Sequence, residues 1–250
     1  MKLSRLQRRA GILSFFIFTF LSVGAQVGEH RSRFDIGGNA GYVLSDVGFT
    51  PNVSQTYHGG LTFGFSTRYT CEKYFNTICS IYGEVNYTSA GWKQDILTAT
   101  DEPVINEQTG VAEEYSRTLN YIQVPVMAHL AWGKEEKGFN FFLNVGPQFG
   151  AFMSESTTKN YNEPNLKSGT GRSNTVIEQE NKAVEKKFDY GIVVGLGAEY
   201  SIPRLGHFLL EGRYYYGLGD IYKNSKRDYF AKSNIGNIVI KASYLFSIVK

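Results

Sequence analysis

Eight stretches of the chain alternate apolar and polar residues, and the segments that join them alternate between long and short. The stretches lie at 34–44, 58–70, 79–92, 118–132, 138–152, 188–201, 207–218 and 235–247. In the sixth, Phe188, Tyr190, Ile192, Val194, Leu196, Ala198 and Tyr200 share one face, while Asp189, Gly191, Val193, Gly195, Gly197 and Glu199 share the other. In the fifth, Phe139, Phe141, Leu143, Val145 and Phe149 oppose Asn140, Asn144, Gly146, Gln148 and Gly150, with Phe142 out of pattern. A period of two marks a β-strand with unlike faces, and about 9–11 tilted residues cross a bilayer. After residue 25, no segment approaches the run of about 18 apolar residues that a spanning helix requires. A chain that crosses lipid in strands must close into a barrel, because an open edge leaves backbone groups without partners.

The connections fix the orientation. Segments 45–57, 93–117, 153–187 and 219–234 are long and polar; 71–78, 133–137 and 202–206 are short. Outer-membrane barrels carry long extracellular loops and short periplasmic turns. The expectation is an all-β fold: an eight-stranded antiparallel transmembrane β-barrel with four long extracellular loops and both termini in the periplasm. A further hairpin near Thr175–Glu180 would give ten strands. Outward Tyr69, Trp132, Phe139, Tyr200, Phe208 and Phe246 then fall near the periplasmic rim, and Tyr42, Tyr87, Phe149, Tyr190 and Tyr216 near the outer rim. A soluble sandwich or lipocalin-like barrel also alternates. Its solvated face would be richer in Lys and Glu than the glycine-rich polar face seen here.

Residues 1–25 have the pattern of a signal peptide. Lys2, Arg5, Arg8 and Arg9 precede an apolar run from Ile12 to Val23, and Val23-Gly24-Ala25 supplies small residues for cleavage before Gln26. Residues 26–250 then form one outer-membrane barrel domain in a Gram-negative envelope. The segment holds four of the 26 basic residues and no acid, so the mature chain carries 22 bases and 23 acids. The formal charge of +3 on the whole chain therefore says nothing for nucleic-acid binding. No cluster of Lys and Arg suited to tracking phosphates is present.

Arg68, Glu84, Glu199, Glu211, Arg213 and Lys241 fall on the lumen face, joined by Asp35, His129 and Asp189. The first six balance as three bases and three acids. An eight-stranded barrel is only wide enough for side chains to fill it, and buried charges need partners. The reading is a salt-bridged plug in the periplasmic half of the barrel. A proton or ion path, or a paired-carboxylate active site, would need access that a filled lumen denies.

Other motifs are weaker. His30, His58, His129 and His207 show no metal-ligand spacing. His58, near the outer rim, is the residue around which a lipid-modifying Ser/His/acid triad would form. Cys71 and Cys79 flank one periplasmic turn, where an oxidising compartment could bond them. Gly195-x-Gly197 is not followed by a helix, so the dinucleotide fingerprint fails and no cofactor is expected. Inward glycines instead make room for neighbouring large side chains. Pro125 and Pro147 inside strands suggest bulges. Segment 153–187 is polar and mixed in charge, closer to an exposed flexible loop than to a folded lid.

The strand Tyr121-Ile122-Gln123-Val124-Pro125-Val126, Gly146-Pro147, Asp189-Tyr190-Gly191 and Gly195-Leu196-Gly197-Ala198-Glu199-Tyr200 resemble the PorT-like small outer-membrane barrels of Bacteroidota, of the porin family. The resemblance spans roughly 34–247 and rests on structural motifs. It implies the same barrel and, through the founding member, a link to type IX secretion. The function expected from the residues is a non-enzymatic outer-membrane barrel with a charge-plugged lumen, acting structurally or through its outer loops. The alternatives are a part of a secretion or envelope-assembly machine, a lipid-modifying enzyme and a narrow channel. The partners expected are outer-membrane lipid and envelope or secretion proteins. The residues leave the oligomeric state open.

Overall fold

The computed structural model describes residues 28–135, 137–223 and 228–249. Residues 1–25, read from the sequence as a signal peptide, lie outside the described residues. Eight long strands are described: β1 Glu29–Thr50, β2 His58–Tyr74, β3 Thr77–Gln94, β4 Tyr115–Gly133, β5 Gly138–Lys159, β6 Phe188–Ile202, β7 Gly206–Asp220 and β8 Lys232–Val249. Each pairs antiparallel with the next, and β1 pairs with β8 to close the ring. A two-residue strand, Gln55–Thr56, adds to the outer end of β3. Segment 175–180 forms no hairpin. It leads instead into a single helical turn, Glu178–Asn181.

All eight expected strands are present, and most are longer than the alternation indicates. Pairing on the outer side continues to Thr50–Lys232 and Tyr115–Lys159. From Met153 to Lys159, β5 is exposed. A ribbon standing in water above the bilayer needs no apolar face, so the period-two signal fades while the ladder persists.

The outward residues form the lipid-facing belt. Phe65, Phe139, Phe141, Leu61, Leu196 and Leu210 are strongly exposed. All six aromatics expected at the periplasmic rim are exposed, and Phe139 and Tyr200 touch with ring centroids 4.7 Å apart. At the outer rim Tyr42, Phe149, Tyr190 and Tyr216 are exposed. Tyr87 is half-buried beside Phe63, at 5.5 Å between centroids.

Pro125 and Pro147 do not make bulges. Pro125 pairs with Gln148 and Pro147 with Ile192, and the register is unbroken on either side. The irregularity in the β4–β5 ladder falls at Asn120/Tyr121. Beside the prolines the two strands approach closely: a Cβ on Gly146 would lie 2.1 Å from the Val126 carbonyl oxygen. The register is the same before and after Pro147, so no extra residue is inserted there.

Two buried cores lie inside the ring. The inner one gathers Ile78, Tyr82, Met127, Phe142, Leu209, Tyr215 and Leu245. Phe142, the exception to the alternation of β5, is one of its members and packs on the His129 ring at 4.9 Å. The second core sits at the outer end, where Phe49, Trp92, Tyr115, Tyr161, Tyr222 and Phe230 are buried together.

Candidate functional site: a plugged lumen between a folded cap and a periplasmic cleft

The six charged residues expected in the lumen are all buried and all meet there. Arg68 on β2 donates to Asp35 on neighbouring β1 at 2.8 Å, and across the ring to Glu199 on β6 at 2.6 Å. Arg213 on β7 donates to Glu84 on β3 through bonds of 2.8 and 3.1 Å, and to Glu211 at 2.8 Å. Lys241 on β8 contacts Glu84 and lies 3.7 Å from Glu211. In a ring of eight, β2 faces β6 and β3 faces β7. The ion pairs therefore span the lumen from wall to wall.

A bridge joins the two clusters. Asn144 donates to Glu211 at 2.9 Å, and its carbonyl accepts from His129 Nδ1 at 2.7 Å. His129 Nε2 is 3.9 Å from Glu199. Asp189 is placed apart, nearer the outer end, where it accepts from the Tyr215 hydroxyl at 2.7 Å. The charges thus occupy the inner half and the middle of the strands, interleaved with the apolar residues of the inner core.

Small residues opposite large ones let this network fit. Gly41 pairs with Lys241, Gly195 with Arg213 and Gly197 with Glu211. A Cβ at Gly195 would lie 2.0 Å from the Glu211 carboxylate, and one at Gly197 would lie 2.3 Å from the Phe142 ring. The inward glycines make room for these side chains.

The outer loops form a folded cap, which corrects the flexible-loop reading of 153–187. Arg172 is buried, donates to Glu113 at 2.7 Å and contacts Glu180. Its guanidinium lies 4.8 Å from the Tyr161 ring centre, and the Tyr161 hydroxyl donates to Glu180 at 2.9 Å. Burial alone would lower the pKa of Arg172. The hydrogen bond and charge of Glu180 outweigh it, so the group stays charged with its pKa above the ordinary value. Burial pushes the Tyr161 hydroxyl up.

Arg117 on β4 ties the loop to the wall. It donates to the backbone oxygens of Gln179 and Lys182 at 3.0 and 2.6 Å and to Glu155 at 2.6 Å. It also packs over Trp92 at 5.5 Å. The available signal was the scatter of Trp92, Tyr161, Tyr222 and Phe230 through otherwise polar segments. Aromatics in a loop that is truly solvated have nothing to bury against.

The periplasmic mouth holds a cleft of about 460 Å³ between the start of β1, the β4–β5 turn and the β6–β7 turn. Arg31 donates to Glu135 at 2.9 Å across this mouth. His207 and Ser201 join Glu199 here: His207 Nδ1 is 2.7 Å from the carboxylate and 2.8 Å from Ser201 Oγ. Both neighbours crowd one ring nitrogen, whereas a nucleophile relay needs serine and acid on opposite nitrogens. The outer-rim triad does not assemble either, since His58 Nε2 meets Thr118 Oγ1 at 2.9 Å.

Cys71 and Cys79 are free. Cys79 pairs with Glu72, and Cys71 sits in the register break between Thr70 and Glu72. Among the described residues no cluster of His, Cys, Asp and Glu suits a metal ion.

No curated protein matches the sequence. Among solved structures, OprG from Pseudomonas aeruginosa is 12% identical, with 88% of this chain and 98% of that one covered and a TM-score of 0.40. Neisserial surface protein A is 12% identical over 85% and 95%, with a TM-score of 0.39. Ail of Yersinia pestis, solved with the heparin analogue sucrose octasulfate, is 13% identical over 85% and 99%, with a TM-score of 0.36. The family model described as "Outer membrane protein beta-barrel domain" matches residues 24–223. With that match across most of its length, and a ring of eight strands closed β1 to β8, the chain belongs to the outer-membrane protein β-barrel domain family.

Proposed function

We propose that this outer-membrane barrel is a closed, non-enzymatic protein that acts through its folded extracellular cap rather than by conducting solutes. One observation carries the reading: Arg68–Glu199 and Arg213–Glu84 cross the lumen from opposite walls. Ions or solutes would have to break buried, hydrogen-bonded charge pairs, and each break leaves a charge unpartnered in a low-dielectric interior. The cap adds rigid contact surface, because its charges and aromatics are fixed from below. Extracellular loops held by a scaffold are where binding residues concentrate.

The test is single-protein recording in planar bilayers, combined with affinity purification from gently solubilised outer membranes. The expected result is a silent bilayer. Discrete, reproducible conductance steps would overturn the closed reading.

The periplasmic cleft favours a second reading, a subunit of a secretion or envelope-assembly machine of the PorT-like kind. Stoichiometric envelope proteins in the purification would support it. A lone barrel would remove it.

A further inference from the structure

The cleft at the periplasmic mouth is lined by basic groups, of which His207 is bound to Glu199 of the plug and Arg31 to Glu29 and Glu135. Arg31, Arg33, Arg204 and His207 face it, against one carboxylate, Glu135. Glu135 is already committed to Arg31 at 2.9 Å and Lys73 at 3.5 Å. Arg33 reaches Asp35 only at 3.4 Å, and its Nε has no hydrogen-bond partner among the described residues. Asp35 is itself taken by Arg68 at 2.8 Å and Ser247 at 2.5 Å. Arg204 is exposed and makes no ion pair among the described residues.

The backbone at Arg204 adds to this. Its φ is 69°, in the left-handed region that favours glycine or asparagine. The Leu205 N–H donates to the Ile202 carbonyl at 3.1 Å with Pro203 between, so a tight turn sets this angle and leaves Arg204 at its tip. Apolar Ile202, Pro203, Leu205 and Phe246 complete the walls. About 460 Å³ lies within the usual range of ligand pockets, roughly 300–1,000 Å³.

We propose that this cleft binds an extended acidic peptide segment of a periplasmic partner, its carboxylates on Arg33 and Arg204 and an apolar side chain against Leu205. Charge complementarity selects the occupant: Arg204 makes no ion pair among the described residues, and Arg33 is held only by the Asp35 contact at 3.4 Å. The inward position of Arg33, His207 and Ser247 sets the route, since a ligand reaches them through the aqueous mouth and not through the lipid-facing belt. Carboxylates suit arginine, whose planar fork takes two parallel hydrogen bonds. The inference supplies a contact surface for the second reading above. Its test uses neither co-purification nor conductance, so the three can fail separately.

The experiment is fluorescence anisotropy on the full-length protein in detergent micelles. The probe is a labelled synthetic peptide that alternates leucine with aspartate and glutamate. A leucine–lysine counterpart, inorganic phosphate and phosphatidylglycerol micelles are the comparisons. The expected result is saturable binding of the acidic peptide alone. It should weaken at least tenfold in R204E and again at high salt, and be unchanged in K93E at the opposite end of the barrel. R204Q serves as a second variant, with an intermediate loss expected. Absence of binding, equal binding by R204E and the parent, or equal binding of the lysine peptide would overturn the proposal. Displacement by phosphate or phosphatidylglycerol at the peptide's own effective concentration would also overturn it, and would make the cleft a general anion or headgroup site.

Discussion

Glu84 and Arg213, 129 residues apart in sequence, meet from opposite walls of the ring through hydrogen bonds of 2.8 and 3.1 Å. Removing one member of a buried ion pair costs about 3–5 kcal/mol, because the partner's charge stays behind. In R213M, Glu84 and Glu211 are left to share Lys241. The expected outcome is a barrel that still closes but loses its heat-resistant band on electrophoresis at a clearly lower temperature. R68M should behave similarly, since among the described residues it leaves Asp35 with only the Arg33 cation at 3.4 Å and Glu199 with only histidines as ion-pair partners. An unchanged midpoint in both would mean that the lumen network contributes little to holding the walls together.

The glycines opposite these charges are equally testable. A Cβ at Gly197 would lie 2.3 Å from the Phe142 ring and 2.4 Å from the backbone oxygen of Leu210. A backbone atom cannot swing aside, so G197A should cost about 1–3 kcal/mol as overpacking. Gly212, on the adjacent strand and facing outward, has nothing within 4 Å of the same virtual atom. G212A is therefore the control, with no loss expected. Urea midpoints in detergent compare the two directly.

The cap rests on Arg172. Without it Glu113 and Glu180 are buried with no cation, and Tyr161 loses the guanidinium stacked on its ring. R172A should release the loop while the barrel stays folded. Limited trypsin digestion of the protein in liposomes reads this out: cleavage between Lys159 and Lys187 should speed up by about tenfold or more, consistent with the cost of breaking a buried pair. Equal cleavage rates in parent and variant would return the loop to the flexible reading.

Periodicity made the barrel legible, because lipid demands an apolar residue at every second position and nothing else in the chain produces that rhythm. The lumen charges were legible for the same reason: Arg68, Glu84 and Arg213 fall on the face that must not meet lipid. Their pairing partners were not, since Glu84 finds Arg213 only after the ring closes. The cap escaped because its strands stand above the bilayer, where Ser154, Glu155 and Ser156 carry no alternation. Arg172 looked like a solvated loop charge until Glu113 and Glu180 arrived from elsewhere in the chain. The periplasmic cleft was invisible for a similar reason: Arg31, Glu135 and Arg204 come from three separate ends of the ring.

The pair that crosses the mouth is expected to respond to pH. Burial raises the pKa of the Glu135 carboxyl, but the hydrogen bond and charge of Arg31, with Lys73 nearby, outweigh it and leave the group below its ordinary value of 4.5. A carboxyl whose pKa is depressed on folding stabilises the folded state above its unfolded value and loses that contribution as pH falls through the folded one. The strap between β1 and the β4–β5 turn should therefore hold fully above about pH 4.5 and loosen below it. Other carboxylates titrate in the same range, so the readout is a difference. The urea midpoint of the parent minus that of E135Q should be flat from neutral pH down to about 5 and shrink toward zero at lower pH. A difference that grows on acidification would reverse the sign and show that Glu135 binds its proton more readily in the folded barrel than in the unfolded chain.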